Sequence, residues 1–539
     1  MATVFMRWLE RRPATYERGI RLLTLGRLGA FYQRIQAEIG AEDRVLEIGC
    51  GTGALTRQLA AKAAKIEALD VSADMLDYAS RDLQARGLSA HVRFSRMDAL
   101  TLDSHFAAGS FDIIVSSLAI SELSALGQEH VLRLCRALLK PSGSLFILDE
   151  HEPEGPGARR ISRLIRAPLR LLTWLLTRTT THPLRKFAQK LASAGFEAEC
   201  LQQGLAGTLR LFRATPLASF RLKEMPALVT HVQHRPNLRT RVQDLWALFF
   251  RVIPPYPSVE PGLYAIGDPD TASPVLVTGN YDLTVRRVVA PLDRRSDVWL
   301  LVVDSAGINV WCGAGGGFLT AERILGAFHM SGLERWHEAK RMILPQLCAN
   351  GVDGDLIRAQ TGWQVHWGPV RAVDIPDYLE NNFEKTEAMR TVRFPLSDRL
   401  EMVSATLGLY GLMILVPVVI FWGHLFWPAL IALLGISYFY ALALPWIPGR
   451  DGLLKSIPLA FIVLAGMLVY SLVIGSYDPL QLFRRGIGVV ALSVFVAAEM
   501  QGMSPLMRGE QANWGWEALI ALVLGGAYWL LPGLVGWSA

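Results

Sequence analysis

A lone cysteine set among glycines is the most chemically pointed feature of this sequence. It stands in Asn309-Val310-Trp311-Cys312-Gly313-Ala314-Gly315-Gly316-Gly317, after an apolar run at 298–304 and a turn at Ser305-Ala306-Gly307. A thiolate is a good nucleophile and a soft metal ligand. Inside a helix each glycine costs roughly 1 kcal/mol relative to alanine. Such bare backbone implies close approach by a phosphate, a flat cofactor face or another stretch of backbone. The pattern places the glycines at the start of a helix through 318–325. Taken alone, Cys312 also fits a small buried hydrophobe.

The second pattern is Arg44-Val45-Leu46-Glu47-Ile48-Gly49-Cys50-Gly51-Thr52-Gly53, an apolar strand entering a glycine turn with a helix from Ala54. This is a βα unit with a ligand expected at the helix N-terminus, in the spacing ExGxGxG rather than GxGxxG. Ile66-Glu67-Ala68-Leu69-Asp70 is a second strand ending in an acid. A carboxylate there can accept both hydroxyl protons of a ribose diol. Asp98, after a third strand, is placed to accept from an exocyclic amine. Residues 111–118 and 138–147 supply a fourth strand and the turn and strand of a fifth.

These elements, in this order, resemble the class I methyltransferases that use S-adenosylmethionine, above all the small-molecule group typified by quinone biosynthesis. The resemblance implies that Glu47, Gly49, Gly51 and Gly53 frame the methionine part. It implies Asp70 for the ribose, Asp98 and Ala99 for the adenine, and Ser116 at the mouth of the acceptor pocket. No catalytic base is expected, because positioning and desolvation carry methyl transfer of this kind.

The cysteine stretch resembles the cap-helix motif of the mercury-methylation corrinoid protein family, HgcA. Pro261-Gly262-Leu263-Tyr264, Pro274-Val275-Leu276-Val277-Thr278-Gly279-Asn280-Tyr281, Ile343-Leu344-Pro345-Gln346-Leu347 and Gly368-Pro369-Val370-Arg371-Ala372 follow the same family in the same order. The resemblance spans about residues 255–539. It implies cobalamin as cofactor, with Cys312 as the lower axial ligand of its cobalt. Asn309, Val310, Trp311, Gly313, Ala314 and Gly315 then lie around the corrin, Trp311 packing on its edge or in the core. This chain departs from the family's Asn-Val-Trp-Cys-Ala-Ala-Gly-Lys at Gly313 and Gly316, the latter standing in place of lysine.

Around these motifs the 539 residues divide into an expected methyltransferase domain (1–215), a linker (216–259), a corrinoid-binding domain (260–385) and a membrane domain (400–539). The expected fold class is α/β: a Rossmann-like domain, a small α/β corrinoid domain, then an all-α five-helix transmembrane domain. In the middle domain strands are expected at 275–278, 298–304, 342–347 and 365–370, and helices at 282–290, 334–340 and 353–361. A short helix is expected at 239–250 within the linker. Spans are expected at 401–422, 427–447, 455–476, 485–502 and 515–535, each long enough to cross ~30 Å of hydrocarbon. Arg390, Arg393 and Arg399 before the first span, with Arg450, Lys455 and Arg508, place the soluble domains in the cytoplasm, on the inner membrane. Arg484 and Arg485 argue the other way.

The formal charge is +6, and the five cysteines (Cys50, Cys135, Cys200, Cys312, Cys348) are widely spaced. No pair has the spacing of a zinc, iron–sulfur or dithiol motif, and a sparse, odd set suits a reducing compartment. Cys348 reads as core. The histidines show no metal-ligand spacing. Arg7, Arg11 and Arg12 are followed by no long apolar stretch, so no signal peptide is expected. Arginines alternate with Leu, Ile and Trp over 159–176, either a lid touching anionic lipid or a helix with a solvated basic face. No nucleic-acid partner is expected.

The combination points to a membrane-bound methyltransferase that is both S-adenosylmethionine- and corrinoid-dependent. Its expected partners are the membrane, a separate ferredoxin-like electron donor and a small-molecule or metal-ion methyl acceptor such as mercury. Two alternatives stay open. One is an independent small-molecule or lipid methyltransferase tethered to a corrinoid protein; the other is a non-catalytic corrinoid-binding or sensing membrane protein.

Overall fold

A computed structural model describes residues 13–499 apart from 63–64, 153–182, 219–228, 232–237, 251–256, 293–295, 424–425, 449–452 and 475–478. Beyond 499 it describes residues 519, 522, 523, 525 and 526. The basic segment 159–176 and nearly all of the fifth expected span therefore lie outside the described residues. The chain forms two compact units. One comprises Leu9–His234 with Pro254–Lys385; the other comprises Met1–Trp8, Arg235–Ile253 and Thr386–Ala539.

The first unit holds two sheets. In one, β1 (Arg44–Ile48), β2 (Lys65–Asp70), β3 (Val92–Arg96), β4 (Phe111–Ser117) and β5 (Leu139–Glu150) run parallel. With β6 (Phe196–Gly204) and β7 (Leu209–Pro216) the order is β3-β2-β1-β4-β5-β7-β6. β7 runs antiparallel to both of its neighbours. Strand side chains alternate between faces, and the core divides accordingly. Val45, Val115 and Phe146 join one cluster with Phe31 and Ile35 of the helix Leu28–Ala37 and with Leu55 and Leu59 of the helix Ala54–Ala60. Leu46, Ile114 and Ile147 join another with Val131, Leu132 and Leu138 of the helix Ala125–Leu138. Burying each such side chain contributes roughly 1.5–3 kcal/mol. A sheet covered on both faces explains why its strands read as nearly continuous apolar runs.

The second sheet comprises β8 (Val229–His231), β9 (Gly262–Ile266), β10 (Val275–Gly279), β11 (Val298–Val303), β12 (Arg341–Leu344) and β13 (Gln364–Trp367), ordered β13-β12-β10-β11-β9-β8. β10 to β13 run parallel, and β9 is antiparallel to β11. One expectation is corrected here. The stretch read as linker contributes β8, which pairs with β9. Its three residues are too few to show an alternating pattern, so edge pairing alone defines it. The helix expected over 334–340 is a single turn, Leu333–Trp336.

The other unit holds the helix Leu238–Phe250 and four long helices, Leu396–Trp422, Phe426–Ala443, Leu453–Ile474 and Pro479–Glu499. Among the described residues, two helices are long and apolar enough to cross a membrane, Phe426–Ala443 and Leu454–Val473. Five spans are thus not established. The first long helix carries Asp398, Arg399 and Glu401 near its start, and the fourth carries Arg484, Arg485 and Glu499. The buried Arg399 donates to the carbonyls of Ala441 (2.6 Å) and Leu442 (3.2 Å), and buried Lys455 donates to Leu444 (3.2 Å). Two residues read as orientation signals therefore also satisfy the open carbonyls at one helix C-terminus, where a cation is favourable.

Candidate functional site

β1 delivers its glycine turn to the C-terminal edge of the sheet, where ligands of open α/β sheets bind. Gly49, Gly51 and Gly53 all take positive φ (72°, 53° and 75°), a region costly for residues with a Cβ. A Cβ on Gly49 would also come 2.4 Å from the Ala119 Cβ. Asp70, at the end of β2, accepts from Gly51 N and Ser72 N, each at 2.9 Å. A carboxylate has about four lone-pair positions, so it keeps capacity for a diol. Asp98 accepts from Leu100 N at 2.9 Å and caps the 3-10 segment Ala99–Ser104, which begins at the buried Ala99. The structure brings Gly49, Gly51 and Asp70 into one turn and sets Asp98 two strands away on the same edge.

Glu47 lies deeper than a residue facing ligand needs to. It is 2% exposed and accepts from the Thr56 hydroxyl at 2.7 Å. Burial raises its pKa to about 8, against the bond from Thr56 and with a contribution from Asp70. Ser116 departs from the position expected of it. It is 1% exposed and donates to Ile48 O at 3.2 Å, tying β4 to β1 rather than lining an opening. Its neighbour Ser117 instead meets Tyr32 Oη at 3.2 Å. Burial raises the Tyr32 pKa to about 12.

Sequence reasoning missed Tyr32, Asp149 and His151. Asp149 is fully buried at the end of β5 and accepts from Ser121 N and Glu150 N. Burial raises its pKa to about 7. His151 packs against Phe187 and Phe212, its buried Nε2 meets no hydrogen-bond partner among the described residues, and burial pushes its pKa down to about 3. The run Asp149-Glu150-His151-Glu152 after an apolar strand was a usable signal for the last two. Tyr32 had none, because its partner lies 85 residues away.

The cysteine stands in a different kind of turn. Asn309 caps the short helix Val310–Gly315, and its Oδ1 accepts from Cys312 N at 3.0 Å. This places Cys312 in the first turn, at the C-terminal edge of the parallel strands β10 and β11. The glycines end this helix rather than begin the next, which corrects the expectation from sequence. Gly316 is its C-cap and Gly317 takes φ 72°, the usual role of glycine at helix C-termini. The next helix, Ala321–Ser331, has its own cap in Thr320. The close approach expected of bare backbone is made by backbone: a Cβ on Gly351 would lie 2.1 Å from Ala314 O. Val310, Gly313 and Ala314 are buried, whereas Trp311 and Cys312 are half-buried.

That exposure bears on ligand fit. Cys348 is fully buried, its thiol 3.0 Å from Pro345 O, and burial raises its pKa to about 12. Burial also holds the Cys50 thiol well above its ordinary value. Cys312, partly open and held by a side-chain cap, suits a ligand approaching from outside. Its sulfur is a soft donor, of the kind that binds transition metals. A soft sulfur donor at this position would fit the cobalt of a corrinoid.

Comparison with known proteins gives two separate matches along the chain. Residues 45–143 match the methyltransferase-domain family. Residues 253–379 match the family described as the CO dehydrogenase/acetyl-CoA synthase delta subunit. The acetyl-CoA decarbonylase/synthase complex subunit gamma of Methanopyrus kandleri is 41% identical over 123 residues, 23% of this chain and 26% of that protein. Its counterpart in Methanocaldococcus jannaschii is 36% identical over 129 residues, 24% and 26% of the two chains. The chain thus spans about a quarter of the length of the curated relatives it matches. Among solved structures, a methyltransferase from Methanosarcina mazei is 19% identical with TM-score 0.29, covering 34% of this chain and 96% of that one. The DhpI–SAH complex is 17% identical with TM-score 0.30, covering 40% and 95%. Structural likenesses at this level carry no functional weight. The chain therefore has a methyltransferase domain with a Rossmann-like fold, followed by an α/β domain related to the acetyl-CoA synthase subunits. The narrower likeness to mercury-methylation proteins is a proposal.

Proposed function

We propose that this chain is a methyl relay in which the first domain takes a methyl group from S-adenosylmethionine and the second holds a corrinoid through Cys312. The observation that carries this reading is the presence, within one compact unit, of an acid-and-glycine nucleotide turn and a capped, half-open cysteine. Methyl transfer from a sulfonium breaks one carbon–sulfur bond, whose electron pair stays on sulfur, and the acceptor supplies the pair for the new bond. A reduced corrinoid offers such a nucleophile, and the Cys312 thiolate would ligate its cobalt. Gly49, Gly51 and Gly53 let the backbone approach the amino-acid part, Asp70 orients the ribose, and Asp98 with Ala99 N receives the adenine edge. Asn309 fixes the first turn that aims Cys312. The sheets exclude water beneath both turns, which strengthens every polar contact made there.

A separate ferredoxin-like donor would keep the corrinoid reduced, and a metal ion such as mercury(II), or another small acceptor, would take the methyl group last. The apolar helices of the second unit would anchor the enzyme in the inner membrane with its α/β domains in the cytoplasm. The second reading is a tethered methyltransferase for quinone- or lipid-like acceptors. It is favoured by the buried Tyr32, Asp149 and His151 and the half-buried Ser117 near the C-terminal ends of β4 and β5.

The test is anaerobic reconstitution of the full chain with cobalamin and a reductant, followed by addition of methyl-labelled S-adenosylmethionine. The relay predicts label on the corrinoid with the wild type and none with Cys312→Ala. Label passing to a quinone or lipid acceptor equally well in Cys312→Ala would favour the second reading. Failure to bind any corrinoid would sink the relay.

A further inference from the structure

The two α/β domains meet through the helix Ala321–Ser331, which lies on the segment Ala99–Ser104 just after Asp98. Gly326 makes this contact tight. A Cβ there would come 2.9 Å from Leu100 Cβ and 3.3 Å from Asp98 Cγ. Arg96 pairs with Glu322 at 3.1 Å across the same contact. Glu260 also crosses between the domains, accepting from Ala125 N at 3.1 Å. The buried Asp98 lies within electrostatic range of Arg323, Glu322 and Asp304, all from the second domain.

Arg323 continues this contact inward. Its Nη1 donates to Asp304 O at 2.9 Å. Asp304 Oδ1 accepts from Ala306 N at 2.9 Å and from Asn280 Nδ2 at 3.2 Å. Asn280 Oδ1 accepts from Ser305 N at 3.0 Å and from Gly307 N at 2.9 Å. The Ser305 hydroxyl reaches Ile308 O at 2.7 Å, beside Asn309, whose side chain caps Cys312. A set of hydrogen bonds and one through-space electrostatic step thus joins Asp98 to the cysteine turn.

We propose that Arg323 is a positioning residue that couples the nucleoside end of the methyltransferase site to the cysteine turn, so that occupancy of either site changes the affinity of the other. The proposal rests on the reading that Asp98 receives adenine and Cys312 a corrinoid. Arg323 stands one helical turn before Gly326, on the face that meets Asp98, and an amine donating to that carboxylate lessens its pull on the guanidinium. Arg323 then turns its donors more fully on the Asp304 carbonyl, which steadies the loop preceding Asn309. The coupling is therefore positive, and it is reciprocal by thermodynamic necessity.

The experiment is a visible-spectrum titration of the full chain in detergent with hydroxocobalamin, with and without saturating S-adenosylhomocysteine, paired with the converse calorimetric titration. The expected result is an affinity gain of about 5- to 20-fold, equal in both directions. Arg323→Gln should bring that factor close to one while each ligand alone still binds. Gly326→Ala should do the same although alanine favours the helix itself. Independent binding in the wild type, or full coupling retained in Arg323→Gln, would overturn the coupling and leave the relay standing. Failure of either ligand to bind alone would overturn the relay and the coupling with it.

Discussion

At Gly49, Gly51 and Gly53 the glycines precede their helix and all three take positive φ; at 313–317 they follow the cysteine, end its helix, and only Gly317 does so. In the first turn the backbone is the proposed binding surface, and each glycine keeps it in a shape a side chain would spoil. In the second the proposed reagent is the side chain of Cys312, and the small residues pack its helix against Gly351. Similar composition thus serves two different physical demands. Substitutions should separate them.

The largest effect is expected at Cys312. Alanine suits a helical position, so Cys312→Ala should fold normally. Loss of an outer-shell partner of a metal ligand commonly costs 10–100-fold in affinity, and loss of the ligand itself should cost more than ~100-fold. Visible spectra of the reconstituted protein check this. Unchanged binding and an unchanged spectrum would remove Cys312 from the site.

Next comes a paired substitution. Gly49→Ala forces a Cβ into the left-handed region and to 2.4 Å from the Ala119 Cβ. It should cost ~1–3 kcal/mol of stability and weaken S-adenosylhomocysteine binding at least ~10-fold. Gly313→Ala meets only ordinary contacts, the nearest being Leu319 Cβ at 3.5 Å. It should be neutral, or stabilising by up to ~1 kcal/mol. Thermal melts of both variants decide it; equal destabilisation would mean the two turns use glycine alike.

A third effect concerns pH and distinguishes the two turns again. Glu47 lies beneath the first turn with a pKa raised to about 8 by burial, and Asp149 with one raised to about 7. For an acid whose folded pKa is raised, the folded state binds more protons than the unfolded one. Stability is then fully present below the ordinary carboxylate range and falls as pH rises through the folded value. For Glu47 the window runs from about pH 4.5 to about 8, with a loss of at most roughly 5 kcal/mol. Glu47→Gln should flatten the decline in thermal midpoint between pH 5 and 8. An identical slope in wild type and variant would assign the dependence elsewhere.

Most of what was legible in the sequence is local. Apolar runs located β1, β2, β4 and β5 and the strands around the cysteine, because a sheet buried on both faces writes itself as continuous hydrophobicity. Asp70 was legible because it ends such a run, and Asp98 because it closely follows the alternating strand Val92–Arg96. The direction in which the 313–317 glycines act was not legible, since a helix six residues long gives too little periodicity to mark its end. β8 was hidden for the same reason of length. Tyr32 and Arg323 depend on partners distant in sequence or in another domain, and no local pattern encodes such meetings.

The smallest expected effect probes the contact that joins the two regions. Arg96 is 48% exposed and its partner Glu322 14% exposed, and exposed pairs of this kind are worth ~0–1 kcal/mol. Arg96→Ala should therefore shift the thermal midpoint by little, and less at high salt, where the pair is already screened. Gly326→Ala acts at the same contact through shape instead of charge, and its effect should not depend on salt. Melts of both variants at low and high salt test this. If Arg96→Ala proved the more damaging at every salt concentration, charge and not close packing would hold the methyltransferase edge against the cysteine domain.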